Sequence, residues 1–214
     1  MTSDERQATS DKRRAMSGKL TSNKLTRNDV IRKPKYEMNP TVTERMKNVR
    51  TYAANCLKEE AQAIMGLIPL LDDNFDKAVE MMYSCQGKVI VTGVGKSGHI
   101  GAKIAATLSS TGTPSFFLNP LDAYHGDLGV VTSQDIVVAI SNSGQTDELL
   151  RFVPMLIHMG IPIIGMSGNP KSLLAKYSNV HINVAVEREA CPLNLAPTSS
   201  TTAVLSMGDA LAVA

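Results

Sequence analysis

Residues 91–105 read VTGVGKSGHIGAKIA and give the strongest indication of the fold. A β-branched run leads into a glycine-rich turn that carries one lysine and one serine, and this turn leads into a helical pattern. Short apolar runs of the same kind stand at 88–93, 114–118, 135–141, 162–168 and 180–186, and helical patterns lie between most of them, at 98–110, 146–160 and 171–178. This alternation predicts an α/β fold, a three-layer αβα sandwich around a five-stranded parallel sheet.

Residues 40–84 carry two further helical patterns. Thr41 or Thr43 is suited to cap the first helix, and Asp72 or Asp73 the second. Apolar side chains return every three or four residues in this segment. We expect them in the core or in subunit contacts, and they are Met46, Leu57, Ile64, Met65, Leu67, Val79, Met81 and Met82.

The charge is distributed unevenly along the 214 residues. Residues 1–50 hold 13 Lys and Arg against 6 Asp and Glu, whereas residues 51–214 hold 9 against 14. We expect residues 1–40 to be a flexible basic extension and residues 41–214 to form one domain. The extension lacks periodic apolar residues and interleaved aromatic residues, so the sequence does not favour nucleic-acid binding.

The apolar runs and the cysteines of the sequence indicate where the protein is located and which kinds of site it lacks. The sequence has no run of about eighteen apolar residues and no apolar secretory core, so we expect no membrane contact and a cytoplasmic location. Its three cysteines are widely spaced and form no CxxC pair. This spacing speaks against a disulfide framework or a zinc knuckle.

The glycine turn is the first of several loops expected at the carboxyl ends of the strands, where such sheets bind ligands. A nucleoside-triphosphate loop needs a glycine where Ile90 stands, and a dinucleotide site needs an acidic residue that is missing from the second strand. What remains is a turn into a helix N-terminus. Gly95, Lys96 and Ser97 are therefore predicted to bind a small anion.

Hydroxyl-rich loops follow two later strands. In SNSGQTDE, residues 141–148, Ser141, Ser143, Gln145 and Thr146 precede a helix, which is suited to a phosphate monoester, although a simple helix cap is the alternative. Glu148 lies one turn into that helix, near enough to act as a base. Further along, a run of hydroxyl residues opens the last predicted helix and completes the phosphate cradle, with Ser199, Ser200 and Thr201 as candidate ligands.

Two more loops supply groups that can transfer protons. His125 lies in the polar, glycine-flanked loop DAYHGDLG, whereas His158 and His181 lie inside helix and strand patterns and are expected to be structural. In EREACPLNLAPTSS, which follows the fifth strand, Glu189 is better placed than Glu187 to face the cleft.

Taken together, these motifs closely resemble the arabinose-5-phosphate isomerases of the sugar isomerase (SIS) domain superfamily. The resemblance spans roughly residues 43–214 and rests on GVGKSGHIGAKIAATLSSTGTPSFFL, HGDLG, AISNSGQTDE, EACPLNLAPTSSTTA and MGDALAVA, in that order. It implies the same α/β sandwich, a homotetramer, and interconversion of D-ribulose 5-phosphate and D-arabinose 5-phosphate on the way to Kdo for lipopolysaccharide or capsule.

The resemblance also implies roles for single residues. Lys96, Glu148 and Glu189 fall on positions regarded as catalytic, and His125 falls on a substrate-binding or catalytic position. Two further residues, Gly112 and Thr113, match a substrate contact. Isomerisation through an enediol needs a proton taken from one carbon and returned to the next, which carboxylate and imidazole groups can perform without a cofactor.

Three departures from the family pattern stand out. Gln145 replaces an acid, and Asn119 replaces a histidine that binds inhibitory zinc in some relatives, so we predict no metal site. The sequence ends at Ala214, inside the last predicted helix. Relatives continue into an HPGG segment with another active-site histidine and often into paired CBS domains, so we expect this chain to be a truncated gene or a fragment.

Two other functions stay open at this point. One is a non-catalytic sugar-phosphate sensor, in which the same cradle binds ligand and the basic extension contacts DNA or a partner; the extension shows no helix-turn-helix pattern. The other is an isomerase of a different phosphosugar.

Overall fold

The structure, a computed structural model, describes residues 42–214. Seven α-helices lie in this range. They are α1 (Val42–Met65), α2 (Asp73–Tyr83), α3 (Lys96–Ser110), α4 (Pro120–Tyr124), α5 (Asp147–His158), α6 (Leu173–Tyr177) and α7 (Ser199–Val213). The predicted extension over residues 1–40 and the capping by Thr41 lie outside the described residues.

Five strands form one parallel sheet, as the continuous apolar runs predict. They are β1 (Val89–Gly93), β2 (Ser115–Phe117), β3 (Ile136–Ile140), β4 (Ile163–Ser167) and β5 (Val180–Asn183), in the order β2-β1-β3-β4-β5. Val91 pairs with Val138 in the β1–β3 register. The chain moves outward from β1 to β2 and then returns to the other side of β1, so β1 and β3 flank the point where the strand order reverses.

Helices cover both faces of the sheet. Buried side chains of α2, α3 and α7 pack on one face, where Ile104 and Met207 join a core cluster with Val138. The other face is covered by α4, α5 and α6, with Phe152 and Leu156 at its centre. Both faces are apolar because each strand lies between two helix layers. The predicted three-layer αβα sandwich is confirmed.

Helix α1 differs from the prediction. The first of the two helical patterns in residues 40–84 extends to Leu71, but α1 ends at Met65 and a 3₁₀ turn follows at Ile68–Leu70, since Pro69 cannot continue an α-helix. Asp72, one of the two predicted caps of α2, accepts a hydrogen bond from the Asn74 N–H. Four of the apolar side chains expected in the core or in subunit contacts are exposed on α1 and do not belong to the core, so subunit contact stays a prediction for them: Met46, Leu57, Ile64 and Met65.

Candidate active site

A cavity of about 380 Å³ opens at the carboxyl ends of β1 and β3. Its lining comes from three loops and the helices that follow them. The lining residues are Val94, Lys96, Ser97, Ile100, Asn142, Ser143, Thr146, Pro197, Ser200, Thr201 and Val204. The cavity therefore lies at the reversal of strand order, where parallel α/β sheets bind their ligands.

The glycine turn after β1 brings α3 to the cavity. Gly95 precedes α3 with a φ of +60°, a backbone conformation that favours glycine. A side chain at Gly98 would come within 2.8 Å of the Gly93 carbonyl oxygen, so this glycine lets α3 pack closely on β1. As a result, Lys96 and Ser97 line the cavity together with the positive end of α3.

The loop after β3, residues 141–146, forms a second wall. The buried Ser141 hydroxyl lies 2.8 Å from Thr146 Oγ1 and accepts a hydrogen bond from the Gly144 N–H. These bonds hold the turn so that Ser143 and Thr146 line the cavity at the start of α5. Ser141 itself is a support beneath the loop, while the N-terminus of a second helix begins at the cavity.

The third wall is the start of α7, which is held by Glu189. One carboxylate oxygen of Glu189 accepts hydrogen bonds from the Thr198 N–H at 2.7 Å, the Thr198 hydroxyl at 3.1 Å and the Ser200 N–H at 3.2 Å. Burial raises the pKa of Glu189, but these donors from Ser200 and Thr198 outweigh burial and lower it. The carboxylate is thus kept ionised at the N-terminus of α7.

Ser200 lines the cavity with a hydroxyl that lacks a partner. The Ser200 hydroxyl approaches the Glu189 carboxylate but does not form a hydrogen bond of acceptable geometry with it. The Ser199 hydroxyl is also buried and unpaired within the described residues, yet Ser199 does not line the cavity. A ligand that reaches such a hydroxyl gains a hydrogen bond at little desolvation cost.

Several residues predicted to contact substrate do not line the cavity. Gly112 and Thr113 precede β2 and therefore lie at the amino edge of the sheet, opposite the cavity. Gly95 and Gln145 belong to the cavity loops but are not among the lining residues. Within this chain, the substrate contact that the resemblance implies for Gly112 and Thr113 is not part of the cavity.

None of the predicted proton-transfer groups, His125, Glu148 and Glu189, is among the residues that line the cavity. Glu148 is exposed in the first turn of α5, two residues beyond Thr146. His125 is exposed at the end of α4, where its ring meets that of Tyr124 edge to face. Among the residues that line the cavity in the described part of the chain, none is an aspartate, a glutamate or a histidine.

A comparison with protein families assigns this architecture. A family profile described as the SIS domain matches residues 82–214, more than half of the chain. The chain belongs to the SIS domain family. The matched region contains all three walls of the cavity.

The sequence is similar to proteins named as arabinose 5-phosphate isomerases. The chain is 54% identical over 155 residues to "Arabinose 5-phosphate isomerase KdsD" of Pseudomonas aeruginosa, an alignment that covers 72% of this chain and 48% of that protein. It is 56% identical over 155 residues to the protein of the same name from Escherichia coli K12, with 72% and 47% covered. The chain thus spans about half the length of these relatives.

Solved structures share the same architecture. The structure of a protein from Escherichia coli CFT073 in complex with arabinose 5-phosphate has a TM-score of 0.73 and 41% identity, over 81% of this chain and 90% of that one. A putative sugar-phosphate isomerase from Listeria monocytogenes has a TM-score of 0.76 and 36% identity, over 78% of this chain and 88% of that one.

The SIS domain cavity also contains residues that sequence reasoning missed. Asn142 lines it from between two predicted serines, and apolar contacts come from Val94, Ile100, Pro197 and Val204. The predicted strand β3 was the signal that could have identified Asn142, because Asn142 closely follows the end of this strand.

Residues 42–214 contain no cluster of three or more potential metal ligands and no helix long and apolar enough to cross a membrane.

Proposed function

We propose that this SIS domain binds a pentose 5-phosphate and belongs to an isomerase that interconverts D-ribulose 5-phosphate and D-arabinose 5-phosphate. The observation that carries the proposal is the cavity wall itself. Ser143, Thr146, Ser200 and Lys96 line one cavity, and the N-termini of α3 and α5 begin at it. Hydroxyl and ammonium donors beside helix N-termini are the chemistry that binds a phosphate monoester.

The substrate class is supported by the relatives. The matched proteins are named arabinose 5-phosphate isomerases, and the E. coli CFT073 structure is a complex with arabinose 5-phosphate. With its phosphate in the cradle, the pentose extends toward the mouth, where Glu148 follows the Thr146 wall after two residues. We assign Glu148 the role of the base that moves the proton between C2 and C1 through an enediol.

The other candidate groups receive different roles. Lys96 is suited to bind phosphate or to stabilise the enediolate, because it carries the positive charge of the cavity wall. Glu189 is a positioning residue, since its bonded oxygen holds the start of α7. His125 is assigned to the sugar end, and Gly112 and Thr113 keep only the role implied by resemblance.

A non-catalytic sugar-phosphate binder is the second candidate. It is favoured by one observation, that within the described residues the cavity is lined by donors and apolar groups and not by a carboxylate or an imidazole. Such a lining binds phosphate but does not by itself move a proton. The isomerase of another phosphosugar is distinguished from both by comparing substrates.

The proposal also covers assembly and location. Apolar side chains are exposed along α1, including Val49, Tyr52 and Leu57, and we propose that they pack against other copies in a homotetramer in the cytoplasm. The product would feed Kdo synthesis for lipopolysaccharide or capsule.

Light scattering tests the proposed assembly. Leu57→Ser is expected to shift the measured mass toward smaller species, whereas Asn55→Ser on the same exposed helix should leave the mass unchanged.

Calorimetry and a coupled assay test the function. The chain should bind arabinose 5-phosphate and should not measurably bind arabinose, because the cradle recognises phosphate. Formation of arabinose 5-phosphate from ribulose 5-phosphate would establish the isomerase. Binding without turnover would support the sensor, and equal affinity for arabinose and its phosphate would contradict both.

A further inference from the structure

The phosphate loop, residues 141–146, rests on a second loop that follows β4. The Gly168 N–H donates to the Asn142 carbonyl at 2.9 Å, and the Leu174 N–H donates to the Gly144 carbonyl at 3.1 Å. Asn142 lines the cavity, and Gly144 follows the cavity residue Ser143. The position of the phosphate loop therefore depends on the loop beneath it.

The Ser172 side chain lies directly beneath Gly144, with no room for a Cβ between them. Gly144 has a φ of +63°, and a Cβ added there would overlap the Ser172 side chain. The Ser172 hydroxyl is completely buried, accepts the Ala175 N–H at the start of α6 and lies 3.3 Å from Ser167 Oγ. Gly144 thus sits directly on a fixed hydroxyl.

His181 on β5 contacts Ser167, whose hydroxyl lies next to that of Ser172. Its Nε2 lies 2.8 Å from Ser167 Oγ, which is a shorter distance than any other hydrogen bond that Ser167 Oγ makes. Ser167 Oγ also has the Asn169 N–H and carbonyl oxygen within reach, but a hydroxyl has one proton and two lone pairs. The ring nitrogen is therefore one of the partners that set whether Ser167 donates or accepts toward Ser172.

The ring is held in its neutral form. Burial lowers the pKa of His181, and the Asp72 carboxylate opposes this effect only in part. A neutral imidazole can offer Nε2 either as a donor or as an acceptor, so it can match the hydroxyl in front of it.

We propose that His181, through Ser167 and Ser172, is a positioning residue that holds the Gly144 turn in the conformation that binds phosphate. This inference rests on the proposed function, because it takes the loop at 141–146 to hold the phosphate of the sugar. It assigns a role in binding to a histidine that sequence reasoning treated as merely structural and that does not line the cavity.

Calorimetry with arabinose 5-phosphate and amide hydrogen exchange test the relay together. His181→Leu should weaken binding by about tenfold and raise amide exchange in residues 142–146, because the seat of Gly144 loosens. The affinity of His181→Gln, which returns a nitrogen or oxygen near the Nε2 position, should stay within about twofold of the wild-type affinity. His158→Leu, an exposed histidine at the end of α5, is the matched control.

A second variant separates the relay from general damage to the fold. Ser167→Ala removes the hydroxyl between His181 and Ser172, so it should reproduce the effect of His181→Leu, and the double variant should be no weaker. Additive losses, an unrescued His181→Gln variant, or wild-type affinity and exchange in His181→Leu would overturn the relay. If the wild-type chain fails to bind arabinose 5-phosphate, the proposed function is wrong. Amide exchange in residues 142–146 of the variants then still tests whether His181 holds the Gly144 turn.

Discussion

The Glu189 carboxylate accepts a 2.7 Å hydrogen bond from the backbone N–H of Thr198, nine residues further along the chain. This bond closes the irregular loop after β5 and fixes the first turn of α7, which supplies Ser200 and Thr201 to the cavity. The carboxylate implicated in catalysis by resemblance is thus already engaged with the protein. We therefore expect Glu189 to act on ligand binding through the first turn of α7, which its bonded oxygen holds.

Replacing Glu189 with glutamine should destabilise α7. We expect a loss of about 1–2 kcal/mol in the free energy of unfolding at neutral pH, because the variant loses a charged acceptor at a helix N-terminus. Affinity for arabinose 5-phosphate should fall as well. Glu187, an exposed residue near Glu189, provides the matched control. Glu187→Gln should change neither the free energy of unfolding nor the affinity.

The same carboxylate predicts a pH dependence. The pKa of Glu189 is lower in the folded protein than in the unfolded chain, so its stabilisation is fully present above the unfolded value and is lost as pH falls through the folded value. Chemical unfolding should show a constant difference between wild type and Glu189→Gln between about pH 6 and about pH 8 and a shrinking one in acid. A difference that grows in acid would contradict the assignment.

Two adjacent serines give a sharp test of the cradle. Ser199 and Ser200 both carry hydroxyls that are buried and unpaired within the described residues, but only Ser200 lines the cavity. Ser200→Ala should weaken binding of arabinose 5-phosphate by about fivefold, since one hydrogen bond contributes about 1 kcal/mol. Ser199→Ala should leave affinity unchanged. The reverse order of effects, measured by calorimetry, would place the phosphate elsewhere.

Two lysines of α3 test the electrostatic part of binding. Lys96→Met should weaken affinity by about tenfold and reduce its salt dependence, because a charge-assisted bond to phosphate is lost. Lys103, which pairs with Asp209 on α7 at 2.5 Å and lies outside the cavity, is the control. Equal losses in Lys96→Met and Lys103→Met would indicate a general effect of charge.

Glu148 should matter for turnover more than for binding. Glu148→Gln is expected to lower kcat by about 100-fold or more, the contribution typical of a general base, with KM changed by less than about threefold. Asp147→Asn in the same helical turn controls for charge near the α5 N-terminus. The conversion of ribulose 5-phosphate is the measurement, and a loss of kcat/KM that comes through KM alone would exclude Glu148 as the base.

The sheet and two walls of the cavity could be predicted because they depend on local pattern. Continuous apolar runs marked the strands, and the glycine turn at Gly95 and the serines near Ser143 lie directly beyond two of them. The bonds of Glu189 and the contact of His181 with Ser167 could not be predicted, since each joins residues whose distance is set by tertiary packing. The order of elements does place Gly112 at the amino edge, because it precedes a parallel strand.

A crystal structure of the chain with arabinose 5-phosphate is the most direct test. We expect phosphate oxygens about 2.7–3.1 Å from the Ser143 and Ser200 hydroxyls and beside the Lys96 ammonium, with the sugar carbons directed toward Glu148. A phosphate bound at another place, such as the groove between α1 and residues 185–188, would contradict it.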